Sequence, residues 1–106
     1  LFDQFLFLDI YRLNFYKRKD LHLSYLRTGE HLEIDLIAER RGERTWVVEI
    51  KSAERVDLTE VRKLAALARD IPNSRPAIFC QAKEERVVEG VEIMNWQRGI
   101  DQMIDS

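Results

Sequence analysis

Apolar and polar residues alternate along two neighbouring stretches, Leu32-Glu33-Ile34-Asp35-Leu36-Ile37 and Trp46-Val47-Val48-Glu49-Ile50-Lys51, and this period of two predicts a pair of strands. Glu33 and Asp35 then share one face, as do Glu49 and Lys51, while Ile34, Leu36, Val48 and Ile50 point the other way. The intervening stretch from Glu39 to Arg44 carries arginines and Gly42, so it reads as the loop of a hairpin. A two-residue turn at Arg41-Gly42 would set Asp35 against Val48 and mix charge into both faces. A loop of three or five residues sets Asp35 opposite Glu49, Glu33 opposite Lys51, Leu36 opposite Val48 and Ile34 opposite Ile50. The second register separates the faces and is the one expected.

The remaining pattern predicts helices and further strands around this hairpin. From Leu1 to about Phe15, Phe2, Phe5, Leu6, Leu13 and Tyr16 recur at helical spacing, with Asp9 in the middle of the stripe and Asp3 near its edge. Leu21 to Arg27 reads as a short strand, and Gly29 permits the turn into the hairpin. Leu58, Val61, Leu64, Ala65 and Ala68 space a helix, with Asp57 as N-cap, Glu60 completing a capping box, and Ile71-Pro72-Asn73 as the stop. Arg75 to Gln81 reads as a strand, so strand, helix and strand from Trp46 to Gln81 should pair in parallel. A last strand near Val91-Glu92-Ile93 and a closing helix from Trp96 to Ile104 complete an α/β fold with a small mixed sheet flanked by helices.

Two carboxylates directly across an antiparallel pair repel unless a positive group lies between them. Lys51 and a divalent cation are the candidates here. The alternative is a solvated sheet face on which Glu33 and Lys51 form a surface ion pair contributing about 0–1 kcal/mol. A carboxylate in the apolar stripe, as Asp9 is, needs a cation, a donor or a proton, since an unpaired buried charge costs several kcal/mol or more. An arginine partner for Asp9, and a favourable macrodipole position for Asp3, are the structural alternatives.

Composition narrows the class. At 106 residues, 45% hydrophobic and 34% charged, the chain suits a single domain over residues 1–106. It opens without Met inside an apparent helix, as expected of the C-terminal fragment of a longer protein. No apolar run approaches the roughly 20 residues that cross a bilayer, so no membrane association and a cytoplasmic setting are expected. Cys80 is the single cysteine and lies in an apolar run, which makes it a core residue rather than a catalytic thiol. His22 and His31 stand singly, without zinc-ligand spacing. A net charge of −2 with a pI near 5.7 argues against binding duplex by field alone. Basic residues cluster all the same at Lys17-Arg18-Lys19, at Arg40-Arg41 with Arg44, and at Arg62-Lys63. Each is a candidate for phosphate contact, with a solvated face as its equal alternative.

The residues Glu33-Ile34-Asp35, a hairpin, and Val48-Glu49-Ile50-Lys51-Ser52 resemble the core motif of the PD-(D/E)XK nuclease superfamily. More closely, the chain is similar to the C-terminal domain appended to archaeal and bacterial AAA-type ATPases. That similarity runs through Leu1-Phe2-Asp3-Gln4-Phe5, Tyr25-Leu26-Arg27-Thr28-Gly29, Glu33-Ile34-Asp35 and Glu49-Ile50-Lys51-Ser52. Asp3 departs from it, standing where that family usually has Glu.

The resemblance implies a restriction-endonuclease-like core and metal-dependent phosphodiester hydrolysis of nucleic acid, with DNA favoured. It implies that Asp35, Glu49 and the Ile50 carbonyl hold Mg²⁺ or Mn²⁺, with Asp3 or Asp9 as the helix acid, and that Asp35, Glu49, Lys51 and Asp3 are catalytic. Hard divalent ions take oxygen ligands and keep several waters, which suits two carboxylates and a carbonyl. Lys51 would orient or activate a water, and Arg27, Arg40, Arg41, Arg44 and Lys63 are the candidate nucleic-acid contacts. An upstream ATPase domain in the same chain and a homodimer are the implied partners. Two other classes stand against the enzyme: a non-catalytic nucleic-acid or protein recognition module that keeps the nuclease fold, and a purely structural interaction domain.

Overall fold

The computed structural model describes residues 8–10, 12, 21–24 and 36–105. Its elements are β1 (His22–Ser24), β2 (Leu36–Glu39), β3 (Thr45–Ile50), α1 (Leu58–Ala68), β4 (Ser74–Cys80), β5 (Arg86–Val88), β6 (Val91–Asn95) and α2 (Trp96–Asp105). Residues 8–10 and 12 are also helical. The strands form one six-stranded mixed sheet in the order β1-β2-β3-β4-β6-β5. The three central strands, β3, β4 and β6, run parallel, while β1, β2 and β5 are antiparallel to their neighbours. Among the described residues β1 and β5 lie at the two edges of the sheet.

The hairpin adopts the register expected from the alternation. Leu36 pairs with Val48, Ile37 with Val47 and Ala38 with Trp46, across a five-residue loop, residues 40–44. Gly42 takes φ +80° in that loop, a left-handed conformation that costs glycine little. Ile34 and Asp35, expected opposite Ile50 and Glu49, lie outside the described residues, as do Glu33, Asp3, Arg27 and His31.

Alternation sorts the strand side chains into two cores, one on each face of the sheet. Leu36, Ala38, Trp46, Val48, Ile50, Ala77, Phe79 and Met94 pack with Ile10 and with Ile100, Met103 and Ile104 of α2. Val47, Ile78, Cys80, Val91 and Ile93 pack with Val61 and Leu64 of α1. Burying each large aliphatic side chain contributes about 1.5–3 kcal/mol, so both helices are held chiefly by these stripes. Leu58, expected in the stripe of α1, is instead 45% exposed, while Val61, Leu64 and Ala68 are buried. Of the first helix, Ile10 is fully buried and Leu8 is exposed; Phe2, Phe5, Leu6, Leu13 and Tyr16 lie outside the described residues.

Local chemistry fixes the ends of α1. The Asp57 carboxylate accepts from the Thr59 backbone N–H at 3.2 Å, an N-cap, and the Ser74 hydroxyl donates to the Ala68 carbonyl at 2.8 Å beyond the other end. The reciprocal half of the expected capping box is not made, because Glu60 turns toward the sheet and accepts from Lys51. Alternation gives no sign of β5, a three-residue strand joined to β6 by Glu89-Gly90 with φ of +54° and +80°. Two successive positive φ values are the signature of the tight turn that matches strand twist.

Candidate functional site

Glu49 and Lys51 sit on one face at the C-terminal end of β3, as the period of two requires. That face is covered by α1, which buries Glu49 and leaves Lys51 partly exposed; Glu33, the surface partner expected for Lys51, lies outside the described residues. Glu49 is 3% exposed and is the buried charged residue among those described. Lys51 Nζ lies 3.6 Å from Glu49 Oε1 and 2.7 Å from Glu60 Oε1. The lysine therefore bridges a carboxylate of the sheet and a carboxylate of the helix. Its backbone is pinned too, since Lys51 N–H donates to the Phe79 carbonyl at 2.9 Å and extends the β3–β4 ladder. A carboxylate taken this far out of water is tolerated only with a positive or donating neighbour, and the Lys51 ammonium supplies one.

Glu60 is a residue that sequence reasoning assigned elsewhere. Its position three residues after Asp57 signalled a capping box, and the pattern contained no sign that it would meet Lys51. The meeting is made by the crossover: β3 leaves the sheet at Ile50, and α1 returns across the same face with Val61 and Leu64 buried. Glu60 is adjacent to Val61, at the edge of that buried stripe.

The other expected site residues fall in different places. Ile50 is buried in the core facing α2, at the end of β3, beside Glu49 in sequence. Asp9 is half-buried and borders a cavity with Trp96, Gln97, Ile100 and Asp101, at the start of α2. Glu49 and Lys51 do not line that cavity. The place of Asp9 beside the first turn of α2 suits a carboxylate, because helix N-termini carry partial positive charge.

Of the basic candidates, Arg27 lies outside the described residues, and the others fall in two places. Arg40, Arg41 and Arg44 occupy the loop before β3, at the opposite end of that strand from Glu49. The stretch from Arg44 to Glu49 spans roughly 17 Å at the ordinary strand rise. Arg40 donates to the Ile104 carbonyl at 3.0 Å and pairs with Glu43 at 3.2 Å, and Arg44 donates to the Ser74 carbonyl at 2.6 Å. Lys63 is exposed, one turn after Glu60 on α1.

Other basic residues lie beyond the carboxyl ends of β3 and β4. An open cleft of about 740 Å³ runs between the segments following β3 and β4 and is lined by Glu54, Arg55, Val56, Ala82, Lys83, Glu84, Arg86 and Ile93. The two segments are tied together by the Gln81 N–H, which donates to the Ala53 carbonyl at 2.8 Å. The carboxyl ends of parallel strands are where open α/β sheets place their ligands. Arg55, Lys83 and Arg86 are scattered in sequence and form no cluster there, so the topology alone reveals them. Cys80, the last residue of β4, is fully buried, and burial pushes its thiol pKa up. It is a core residue, as expected.

A family model described as a domain of unknown function, DUF4143, matches residues 1–98. The chain belongs to the DUF4143 family. Comparison with curated proteins and with solved structures gives no match. The matched span of this DUF4143 chain includes both acid-bearing stretches, α1 and the cleft, and ends in the first turn of α2.

The fit of a divalent ion rests on the donor set. Glu49 offers a buried carboxylate, the chain at Ile50 a carbonyl, and Glu60 a second carboxylate across Lys51, all hard oxygen donors. Among the described residues no group of three or more His, Cys, Asp or Glu is close enough together to hold a metal ion. The remaining expected ligands, Asp35 and Asp3, lie outside the described residues. Among the described residues, too, no helix is long and apolar enough to cross a membrane.

Proposed function

We propose that this DUF4143 domain hydrolyses phosphodiester bonds in nucleic acid, with DNA favoured, on a restriction-endonuclease-like core. The observation that carries the reading is Glu49, a carboxylate buried at the C-terminal end of β3 with Lys51 at 3.6 Å. The paired residues Leu36 and Val48 support it, because they have the register that an Asp35–Glu49 pair requires. The motif resemblance supports it independently of the geometry.

In this reading Asp35, Glu49 and the Ile50 carbonyl would hold Mg²⁺ or Mn²⁺, with Asp3 as the helix acid. Bound there, the ion would lower the pKa of a water and stabilise charge on the phosphoryl oxygens. The chain's own contribution is Lys51, a positive charge fixed one strand step from Glu49, where it can orient a nucleophilic water and offset developing negative charge. Arg55, Lys83 and Arg86 line the cleft between the segments that follow β3 and β4 and join the candidate nucleic-acid contacts. An ATPase module in the same chain, a cytoplasmic setting and a homodimer belong to this reading on resemblance alone.

A second reading is a recognition module without cleavage. It is favoured by the 2.7 Å contact of Lys51 with Glu60, which ties the lysine to the protein, and by the commitment of Arg40 and Arg44 to backbone carbonyls. Calorimetric titration of Mn²⁺ and Mg²⁺ into the wild-type chain, Asp35→Ala and Glu49→Ala, followed by plasmid and oligonucleotide cleavage, separates the two. Metal binding lost in both variants, with cleavage lost in Lys51→Ala, is the expected result. Metal binding with no cleavage of any substrate favours the recognition module, and no metal binding removes the nuclease reading.

A further inference from the structure

Lys51 lies between two carboxylates and is closer to the one that the motif does not contain. Its Nζ is 2.7 Å from Glu60 and 3.6 Å from Glu49, and the side chains of Lys51 and Glu60 are similarly accessible, at 26% and 27%. Direct contact with an ammonium lowers the electrostatic attraction of a carboxylate for a second cation. A lysine drawn fully onto Glu49 would compete with a divalent ion for the same oxygens. Glu60 offers that lysine another partner.

We propose that Glu60 is a positioning residue that holds the Lys51 ammonium toward α1, and so preserves the capacity of Glu49 to bind a divalent cation. The proposal rests on the metal-dependent reading above and adds a residue from outside the motif to it. The placement of Glu60 is built into the fold. The Asp57 cap fixes the first turn of α1, and Val61 and Leu64 clamp the helix to the sheet, which sets Glu60 against the end of β3. Of the contacts of Lys51 with Glu60 and Glu49, the shorter is with Glu60, as the role requires.

The test is Mn²⁺ affinity, measured by calorimetry on the full chain and on three variants: Glu60→Gln, Lys51→Met and Glu60→Gln/Lys51→Met. Glu60→Gln is expected to bind Mn²⁺ about two- to fivefold more weakly, the range of a partly exposed ion pair. Lys51→Met is expected to bind at least as tightly as wild type, and the double variant should return to the Lys51→Met level. That rescue is the decisive readout, because a structural role for Glu60 or direct ligation by it would leave the double variant as weak as Glu60→Gln. Glu60→Asp, which keeps the charge on a shorter arm, should fall between wild type and Glu60→Gln. Wild-type affinity in Glu60→Gln, or no rescue in the double variant, overturns the positioning role alone. A wild-type chain that takes up no Mn²⁺ overturns both this role and the metal-dependent reading.

Discussion

Arg40 donates from Nη2 to the carbonyl oxygen of Ile104 at 3.0 Å, which joins the β2–β3 loop to the last turn of α2 across 64 positions of sequence. The last four carbonyls of a helix have no partner within it, and a guanidinium is well suited to that end of the dipole. The Arg40 side chain is 14% exposed, so the contact is made out of bulk water. A basic loop residue that reads in sequence as a phosphate contact thus works in the fold as a helix cap.

The expected consequence is a separation of stability from binding within the Arg40-Arg41 pair. Arg40→Ala should destabilise the domain by about 1–2 kcal/mol, the cost of a charge-assisted hydrogen bond and its packing. Arg41→Ala, at an exposed position, should stay within about 0.5 kcal/mol. Urea denaturation of both variants checks this. An Arg40→Ala protein as stable as wild type would show that the contact with Ile104 contributes nothing.

Gly99 meets the ring of Phe79, and a Cβ added there would fall 2.6 Å from two ring carbons. Phe79 is fully buried and stands edge-on to Trp46 at 5.9 Å, so the ring has little room to yield. Alanine in mid-helix is ordinarily favoured over glycine by about 1 kcal/mol. Overpacking a closed core costs about 1–3 kcal/mol and should win. Gly99→Ala is therefore expected to lower the thermal midpoint, and Gly99→Ala/Phe79→Leu to lose less stability than the two single changes added together. Additive losses in that cycle would rule out the steric account.

Much of this fold was legible because its pattern is local. The alternation of Leu36 and Ile37 with Val47 and Val48 gave the strands and their register, and Asp57 with Val61, Leu64 and Ala68 gave α1 nearly residue for residue. β5 escaped because three residues, Arg86–Val88, cannot display a period, and its turn uses Glu89 in a left-handed conformation that favours Gly or Asn. The site was legible in part. Glu49 and Lys51 share a face by strand geometry, but Glu60 reaches Lys51 only through the packing angle of a helix, and Arg55, Lys83 and Arg86 meet only where strand ends converge. For the loop arginines, charge clustering records neither which end of a strand a loop serves nor which carbonyls lie nearby.

Cys80 links burial to pH. Its thiol pKa is raised above the ordinary cysteine value chiefly by desolvation, opposed by a backbone hydrogen bond from Ala82 and by the charge of Arg86. A folded-state pKa above the unfolded value means that the native state holds its proton longer. The contribution is fully present below the unfolded cysteine pKa, near 8.5, and is lost as pH rises through the folded value. Stability should therefore fall on the alkaline side, and part of that slope should be absent from Cys80→Ala. Denaturation midpoints of both proteins between pH 7 and 10, on the order of the range where thiols ionise, test it. Parallel pH profiles would exclude Cys80 as the source.

Arg75 is held by two different partners at the N-terminal end of β4. Its guanidinium carbon stands 4.0 Å from the centroid of the Trp46 ring, and its nitrogens donate to both Glu92 oxygens at 2.6 and 3.0 Å. The hydrogen bond to Glu92 is the main cause that raises the arginine pKa further. The fork binds one carboxylate through two nitrogens while its flat face covers the indole, a combination that the ammonium of lysine cannot reproduce. Both charged side chains are about a quarter exposed, at 21% and 27%, so solvent screens the pair. A coupling of about 1 kcal/mol between Arg75 and Glu92 is the expected size after that discount. In a double-mutant cycle, Arg75→Ala and Glu92→Ala should show that coupling, and Arg75→Lys should recover less than half of the loss from Arg75→Ala. Trp46→Leu should reduce the cost of Arg75→Ala, since it removes the surface on which the guanidinium lies. If Arg75→Lys matches wild type, point charge alone accounts for the position, and neither the fork nor the indole contact contributes to stability.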